Sequence, residues 1–266
     1  MTAKQPITWV NYFDQVNQKK FVPDQQVING VDLFIQTYYQ SFNPLNHSIP
    51  MIYLLDYTTG KYIFVSNQCR AMVGFSSDKM IDGGVEFVMD QYHPADLKLF
   101  NEQIFSDRLS ILRTIPTEQQ KDYIFSYNYR IRNNKGEYVN LLQRNSFIQS
   151  DAKGNPLLSL GVITNIHHFN EVSPVVQVVE KYNKETNVVD TVVKNSYFLK
   201  EEGKVFSKRE REILFYLAEG LTSKKIADKL FISEYTVINH KRNMHHKSNT
   251  TNTVALVTYA FRQHFL

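Results

Sequence analysis

Four side chains near the C-terminus have the chemistry that a duplex nucleic acid requires. One side of a predicted helix, projected at 100° per residue, carries a ring hydroxyl, a carboxamide, a guanidinium and an imidazole: Tyr235, Asn239, Arg242 and His246. Such groups can hydrogen-bond base edges and phosphates in a major groove. A helix that needed only solubility would favour Glu and Lys pairs. The pattern therefore predicts a surface that contacts nucleic acid.

We expect different residues to contact bases and phosphates. The predicted base-contacting residues are Tyr235, Ile238, Asn239 and Arg242. Asn239 can reach adenine through its carboxamide and Arg242 can bind guanine with two hydrogen bonds, whereas Ile238 can only press on a thymine methyl. The residues expected to contact phosphates are Lys224, Ser233, Thr236 and Lys241. Base contacts specify a sequence, while phosphate contacts position the protein on any sequence.

Three short amphipathic helices are predicted to position this surface. Ser207 and Glu210 form a capping box, Gly220 ends the first helix, and Thr222 and Ser233 cap the next two. The apolar stripes of the first two helices are Ile213, Leu214, Leu217 and Ala218, and Ile226, Ala227 and Leu230. Two helices joined by a very short turn, the second polar and basic, are typical of a helix-turn-helix.

On these residues, the segment 206–261 resembles the DNA-binding domain of the LuxR family, also called the NarL or GerE family. The likeness is carried by Arg209 to Leu214, Ala218 to Gly220, Lys225 to Ala227, Leu230 to Ser233, Thr236, Val237, His240 and Asn243. The resemblance implies an all-α four-helix domain that binds double-stranded DNA, in which His240 braces the recognition helix. Ile238 departs from the Lys or Asn of many relatives, and His245 and Ser248 replace apolar residues.

The same resemblance implies that a fourth helix, residues 253–265, carries the contact of a homodimer. We expect Leu256 and Tyr259 to form that contact. The stripe expected to seal the domain core instead is Val254, Val257, Ala260 and Phe261. A dimer is also favoured because one such module buries too little surface for high specific affinity.

The whole chain has the composition of a folded protein of about two domains. Its 266 residues are 42% hydrophobic, with 18 Phe, 16 Tyr and one cysteine. There is neither a membrane-length apolar run nor a signal-peptide pattern, so we expect a cytoplasmic protein with no membrane partner. Residues 206–266 hold ten Lys and Arg against five Asp and Glu, while the rest is nearly neutral. The basic excess thus agrees with the helix-turn-helix.

Residues 49–168 show the alternation of an antiparallel sheet. The predicted strands are Met51–Asp56, Tyr62–Ser66, Lys121–Arg132, Tyr138–Gln149 and Leu157–Ile166. Helices are expected between the second and third strands, with breaks at Gly74, Gly83-Gly84 and His93-Pro94. The predicted fold class is therefore α+β multidomain, with a five-stranded antiparallel sheet under helices and a separate all-α four-helix domain.

This order of elements resembles a PAS domain over about residues 50–166. The likeness is carried by Val65 to Asn67, Gly74 to Ser76, His93 to Leu97 and Arg130 to Tyr138. The resemblance implies sensing or protein–protein contact. It leaves the cofactor undefined, and whether a small molecule binds between sheet and helices stays open.

The third strand has two unlike faces. Tyr123, Phe125, Tyr127 and Tyr129 share one face, while Ser126 and Asn128 lie on the other. Either the aromatic face lines a cavity under the helices, or it faces outward and packs on the N-terminal helices, and we expect the second arrangement. Ser126 and Asn128 would then line the ligand pocket, because small-molecule sites hold a few polar anchors.

We predict four segments along the chain. They are an N-terminal helical extension (1–48), a PAS-like domain (49–170), a β-hairpin with linker (171–205) and the helix-turn-helix domain (206–266). The extension either forms part of a dimer surface or caps the PAS-like domain. The hairpin either transmits a signal or adds an edge to the sheet.

Neither a catalytic site nor a metal site is predicted. Cys69 precedes Gly74, the reverse of the order in flavin-reactive PAS domains, and is interpreted as a packed core cysteine. His93 is expected to fix the start of a helix rather than to bind haem. The remaining histidines lack a metal-binding spacing. No nucleophile–base pair or Gly-rich phosphate loop appears, so an enzyme is not predicted.

Together these features predict a one-component transcription regulator. Its PAS-like sensor would control a LuxR-type helix-turn-helix that binds double-stranded DNA as a homodimer, with RNA polymerase as a further candidate partner. In the alternative, the PAS-like domain is a protein-interaction module that recruits RNA polymerase or a sensor kinase, and no small molecule is involved.

Overall fold

The computed structural model describes residues 8–17, 21–41, 50–167, 174–197 and 205–262. It divides into two compact units, residues 1–167 with 176–195, and residues 168–175 with 196–266. The boundary predicted at residue 170 and most of the predicted linker, residues 198–204, lie outside the described residues. Over the described ranges, no helix is both long and apolar enough to cross a membrane.

The first unit is built on a seven-stranded sheet. Its strands are β1 Met51–Asp56, β2 Lys61–Val65, β3 Tyr123–Arg132, β4 Tyr138–Ser150, β5 Pro156–Asn165, β6 Val175–Asn183 and β7 Val188–Tyr197. They lie in the order β2-β1-β5-β4-β3-β6-β7. The five predicted strands are confirmed as an antiparallel set. The predicted hairpin extends this set, because β6 pairs with the outer edge of β3.

Helices cover both faces of the sheet. They are α1 Trp9–Val16, α2 Gln25–Ser41, α3 Gln68–Val73, α4 Ser77–Gln91, α5 Pro94–Leu99 and α6 Phe105–Leu112. A π-helical turn, Phe100–Ile104, joins α5 to α6. His93 caps α5, since its Nδ1 accepts a hydrogen bond from the Ala95 amide at 3.3 Å. The structural role predicted for His93 is thus confirmed.

The break predicted at Gly83-Gly84 is a bend within α4. Gly84 has a φ of 67°, in the left-handed region. A Cβ at Gly84 would lie 2.6 Å from the Gly60 carbonyl oxygen. The amide of Val85 donates to that same oxygen at 2.9 Å. Glycine at this position therefore lets α4 lie close against the turn between β1 and β2.

The two N-terminal helices pack on opposite faces of the sheet. Trp9 of α1 meets Phe100 edge-on, with ring centroids 4.8 Å apart, on the face that also carries α5 and α6. Val31 and Ile35 of α2 are buried against Ile52 on the other face. In this chain the extension therefore caps the sheet domain on both sides.

The second unit contains four helices, as predicted. They are α7 Lys208–Ala218, α8 Ser223–Leu230, α9 Glu234–Ser248 and α10 Thr253–Arg262. Its core is formed by Phe206, Ile213, Leu214, Leu217, Ile226, Ala227, Val237, Met244, Leu256 and Ala260. Because all four helices contribute to one core, the position of α9 is set by packing on the other three.

Candidate nucleic-acid interface and sensor cavity

The helices of the second unit begin where the sequence predicts. The Ser207 hydroxyl accepts from the Glu210 amide at 3.3 Å, and the Glu210 carboxylate accepts from the Ser207 amide at 2.7 Å. Thr222 and Ser233 cap α8 and α9 through their hydroxyls. Gly220 has a φ of 80°, which confirms the predicted end of α7. These caps determine where α7, α8 and α9 begin and where α7 ends.

The helix α9 turns its predicted base-contacting side away from the core. Val237 and Met244 are fully buried on one side. Tyr235 is 69% exposed, Ile238 is 42% exposed, and Arg242 is also exposed. Asn239 is half-buried, and Asn243 and His246 are exposed. The structure thus brings the four predicted base-contacting residues onto one accessible surface.

The basic side chains of this unit include two contrasting groups. Arg209 pairs with Glu212 at 2.6 Å and donates to the Leu230 carbonyl at 2.8 Å, while Lys247 pairs with Glu210 at 2.7 Å. These two cations hold helices together. Four others make no ion pair with any residue in the described ranges: Lys224, Lys225, Lys241 and Arg242. This second group remains available to a polyanion.

The end of α9 is organised by polar groups where the sequence departs from its relatives. His245 Nδ1 lies 2.9 Å from the Thr250 hydroxyl. Ser248 donates to the Met244 carbonyl at 2.7 Å and lies 2.9 Å from the same Thr250 hydroxyl. Asn249 then ends the helix with a φ of 52°. The two unusual residues are therefore hydrogen-bonded to each other through Thr250.

On α10, the structure corrects the assignment of Leu256 to the dimer contact, whereas Tyr259 is half-buried and its assignment stays a prediction. Leu256 is fully buried in the domain core, and the Tyr259 ring lies 6.2 Å from that of Phe206. The exposed apolar residues of this helix are Val254, 76% exposed, and Phe261, 57% exposed. The prediction placed Leu256 on the outer side because the stripe alone does not show which face of a short helix meets α7 and α9.

A cavity of about 30 Å³ lies between the sheet and helices of the first unit. Its aromatic lining comprises Trp9, Phe100, Phe105, Phe147, Tyr53, Tyr57, Tyr62, Tyr92, Tyr127 and Tyr129, and its lining also includes Arg108 and Gln143. A Cβ on Gly161 would overlap the Tyr53 ring, so glycine lets that ring lie across β5. The volume would hold about two water molecules. Aromatic side chains therefore fill most of the space between the sheet and these helices.

The cavity lies on the aromatic face of β3, opposite to the face that we predicted. Tyr127 and Tyr129 line it, whereas Ser126 and Asn128 alternate to the other face. Asn128 accepts a hydrogen bond from the Val176 amide at 2.6 Å. The assignment of Ser126 and Asn128 to the pocket was wrong for this cavity. Alternation separates two faces but does not show which one the helices cover.

Arg108 of α6 is a buried cation that the sequence analysis missed. It is 3% exposed, and its Nη1 donates to Asn145 Oδ1 at 3.2 Å. Its guanidinium carbon lies 4.5 Å from the Tyr127 ring centroid. Nε and Nη2 make no hydrogen bond to any described residue. Burying a charge costs several kcal/mol, whereas a desolvated cation–π contact contributes about 2 kcal/mol.

A signal for Arg108 exists in the sequence. Phe105, Leu109 and Leu112 form an apolar stripe on α6 at helical spacing, and all three are buried. Arg108 falls within that stripe. A charged residue at a position that the periodicity assigns to the core is expected to have a specific partner or a function.

Tyr92 and Tyr127 are linked beside this arginine. Their hydroxyl oxygens lie 2.6 Å apart. Burial raises the pKa of both phenols, and also that of Tyr129. The three hydroxyls therefore stay protonated at neutral pH and can donate hydrogen bonds.

One ion pair joins the two motifs on which the PAS resemblance depends most. The buried carboxylate of Asp96 accepts from Arg130 at three positions, the amide at 2.7 Å, Nε at 3.0 Å and Nη2 at 2.6 Å. Asp96 opens α5 and Arg130 lies in β3. The pair therefore fixes the helical layer against the sheet next to the cavity.

Cys69 lies in the core, as predicted. It is fully buried in α3, and burial raises the pKa of its thiol. Across the residues that the structure describes, no group of three or more His, Cys, Asp and Glu side chains could hold a metal ion.

Comparisons with known families match each unit separately. Residues 204–260 match the family described as bacterial regulatory proteins, luxR family. Residues 62–163 match the PAS fold. Residues 204–260 therefore form a luxR-family domain, and residues 62–163 form a PAS fold.

Individual curated relatives match over short stretches of the chain. Regulatory protein SdiA of Escherichia coli K12 is 53% identical over 55 residues, which are 21% of this chain and 23% of SdiA. Oxygen regulatory protein NreC of Staphylococcus carnosus is 43% identical over 63 residues, 24% of this chain and 29% of NreC. The chain thus spans about a quarter of these relatives' length. A solved phage VqmA–DPO complex aligns with 90% of this chain and 91% of its own, at 16% identity and a TM-score of 0.39.

Proposed function

We propose that this chain, in which a PAS fold precedes a luxR-family helix-turn-helix domain, is a transcription regulator that binds double-stranded DNA. The observation that carries the proposal is the orientation of α9. Its apolar side is buried at Val237 and Met244, and its opposite side exposes Arg242 next to Asn239. A helix held in this way can enter a major groove and present hydrogen-bonding groups to base edges.

The division between base and phosphate contacts forms part of this proposal. Arg242 and Asn239 would read bases, with Ile238 against a thymine methyl and Tyr235 at the start of the helix. Lys224 and Lys241 would neutralise phosphates, since they have no ion pair among the described residues. Ser233 and Thr236 already hydrogen-bond each other at 2.7 Å, which places two hydroxyls together at the N-terminus of α9. Helix N-termini favour phosphate oxygens.

We further propose a homodimer whose contact includes α10. Val254 and Phe261 are seven residues apart and therefore share one side of this helix. Both are apolar and more than half exposed. A dimer would place two recognition helices on two half-sites and double the surface buried on DNA.

The proposal is tested by selection from a randomised duplex library. The full chain should enrich a limited set of sequences, and Arg242→Ala should lose the preference at one base position of that set. Arg113→Ala is the matched control, because Arg113 is an exposed arginine in the PAS fold that hydrogen-bonds Asn155. Retention of the same enriched set by Arg242→Ala, or no enrichment by the parent chain, would contradict the proposed role of α9.

A second candidate function is recruitment of a partner protein by the PAS fold. It is favoured by β7, an edge strand on which Val188, Val189 and Val192 are about half exposed. An exposed apolar edge strand can pair with a strand of another protein. RNA polymerase is one candidate partner. Replacing the three valines by Lys should abolish transcription activation without changing DNA affinity if this candidate is correct.

A further inference from the structure

Three buried polar side chains from three elements have unused hydrogen-bonding atoms on the inner side of the PAS sheet. Arg108 of α6 has two such nitrogens, Asn145 of β4 has its Nδ2, and Gln177 of β6 has both amide atoms. Each side chain is at most 3% exposed. Gln177 pairs with Tyr127 across β3 and β6, so both point to the cavity side. Buried groups of this kind are normally hydrogen-bonded, so several together require water or a ligand as their partner.

The charge around this cluster is positive. Arginine stays protonated in proteins. Within the described part of the chain Arg108 forms no ion pair. The ionisable side chains that influence its pKa are tyrosines such as Tyr57 and Tyr127. Since burial keeps these phenols neutral, they do not compensate the guanidinium. Among the described residues, the protein therefore supplies no anion to balance the charge of Arg108.

We propose that Arg108 binds the carboxylate of a small organic acid in the PAS fold. The planar guanidinium presents parallel N–H groups, which match the two oxygens of a carboxylate. Asn145 already accepts a hydrogen bond from Arg108 through its Oδ1, and its Nδ2 can donate to the same carboxylate. Tyr127 supports the guanidinium from one side. This inference rests on the sensor role that the sequence predicts for the PAS fold and specifies its ligand class.

The rest of the cavity limits the body of that acid. Beyond Arg108 and Gln143 the walls are aromatic and aliphatic side chains, with tyrosine hydroxyls as the further polar groups, so the body is mostly apolar. The volume of about 30 Å³ restricts an unrearranged site to short acids. Aromatic acids require the rings above the cavity to separate, and Trp9 of α1 is one of these rings. The ligand class is therefore a short monocarboxylate, about the size of acetate or propionate, and benzoate would bind only if these rings separate.

Trp9 provides a direct measurement, because it is the only tryptophan of the chain and lines the cavity. The full chain is titrated, without DNA, with acetate, propionate and benzoate, and with acetamide, propionamide and benzamide as uncharged counterparts. Trp9 fluorescence and the melting temperature are followed. At least one acid should give a saturable fluorescence change and raise the melting temperature, while its amide gives neither.

Two variants and a control locate the binding group. Arg108→Met keeps an apolar stem and should raise the Kd of the acid at least tenfold. Asn145→Asp retains Arg108 but supplies an internal carboxylate, so this variant should fold and lose acid binding. Arg113→Met, at the exposed end of α6, should bind as the parent does. Asn145→Asp decides the question if Arg108→Met does not fold.

Several results would overturn the proposal. They are the absence of a saturable response to all three acids, equal responses to acids and amides, and an unchanged Kd in Arg108→Met or Asn145→Asp. DNA binding is measured separately by gel shift on the selected sequences. If the parent chain binds the acid but recognises no DNA sequence, the proposed DNA-binding function alone is refuted. The reverse pattern would refute the acid site alone.

Discussion

The Lys247 ammonium lies 2.7 Å from the Glu210 carboxylate, and this contact joins the end of the recognition helix α9 to the start of α7. The same Oε2 atom of Glu210 also accepts from the Ser207 amide. Glu210 therefore serves both as the second half of a capping box and as the anchor of α9. Lys247→Met should destabilise the domain by about 1 kcal/mol, since Lys247 is partly exposed and surface pairs contribute up to about that amount.

The contact between Lys247 and Glu210 should also make the stability of the domain depend on pH. Burial disfavours the ionised Glu210, but hydrogen bonds from Lys247 and Ser207 outweigh it and lower the pKa of this carboxyl. A lowered folded-state pKa contributes stability that is present above the unfolded value, about 4.3, and lost as pH falls through the folded pKa. Chemical denaturation between pH 7 and 3 should show this loss in the parent chain and a smaller one in Glu210→Gln. Equal pH dependence in both would refute the assignment.

Arg242 and Lys224 should differ in how their loss affects DNA binding. Arg242→Ala should cost about 1–3 kcal/mol, mostly at one base position, because a bidentate base contact is lost. Lys224→Ala should weaken all sequences alike and reduce the slope of log K against log salt by about one unit. Library selections at two salt concentrations measure both effects. If the two variants share one preference profile and one slope, the division of roles is wrong.

Ile238 should determine preference for a thymine. Its side chain is 42% exposed on the base-contacting side and can offer only apolar contact. Ile238→Lys should shift the preferred base away from an A·T pair at one position, because lysine favours guanine acceptors. Ile238→Val, which keeps the apolar contact, is the matched control. The same preferred base in the lysine variant would remove Ile238 from the base-contacting set.

Val254 should contribute to the dimer contact. Val254→Glu should raise the dimer dissociation constant about tenfold, which corresponds to about 1.4 kcal/mol, and leave the fold intact because the side chain is 76% exposed. Tyr259→Glu should instead lower stability, since Tyr259 packs against Phe206. Sedimentation equilibrium and thermal melting separate the two effects. An unchanged mass distribution in Val254→Glu would exclude this face of α10 from the interface.

Tyr127 should stabilise the PAS fold through its hydroxyl as well as its ring. Tyr127→Phe removes the 2.6 Å contact with the buried Tyr92 hydroxyl and should cost about 1–2 kcal/mol. Tyr62→Phe is the matched control. Tyr62 lines the same cavity, but its hydroxyl makes no hydrogen bond to any described residue. The measurement is urea denaturation. Equal losses in both variants would show that the Tyr92 contact contributes nothing.

Local signals in the sequence determined most of the elements. Ser207, Thr222 and Ser233 satisfy backbone donors within three residues of themselves, so their helix starts could be predicted from neighbours alone. The strict alternation of β3 likewise predicted a strand. The luxR-family and PAS likenesses are also properties of sequence order. The domain boundary near residue 170 remains a prediction.

Assignments that depend on which elements meet in space required the tertiary structure. The two faces of β3 were separated correctly, yet the helices that cover the aromatic face come from residues 68–112 and from α1. Leu256 was placed outward for the same reason, since its burial depends on α7 and α9. The periodicity of a strand or helix does not show which of its faces a segment distant in the chain will cover.

The sequence by itself determined that this chain carries a basic helix-turn-helix and a PAS-like sheet, because caps, periodicity and charge are encoded within short segments. Only the tertiary structure decided what lines the cavity of the PAS fold. Arg108 and Asn145 are 37 residues apart, and their contact exists because α6 crosses β4. A charge inside an apolar stripe indicates that something unusual is present, but its partners and its burial are set by the assembled fold.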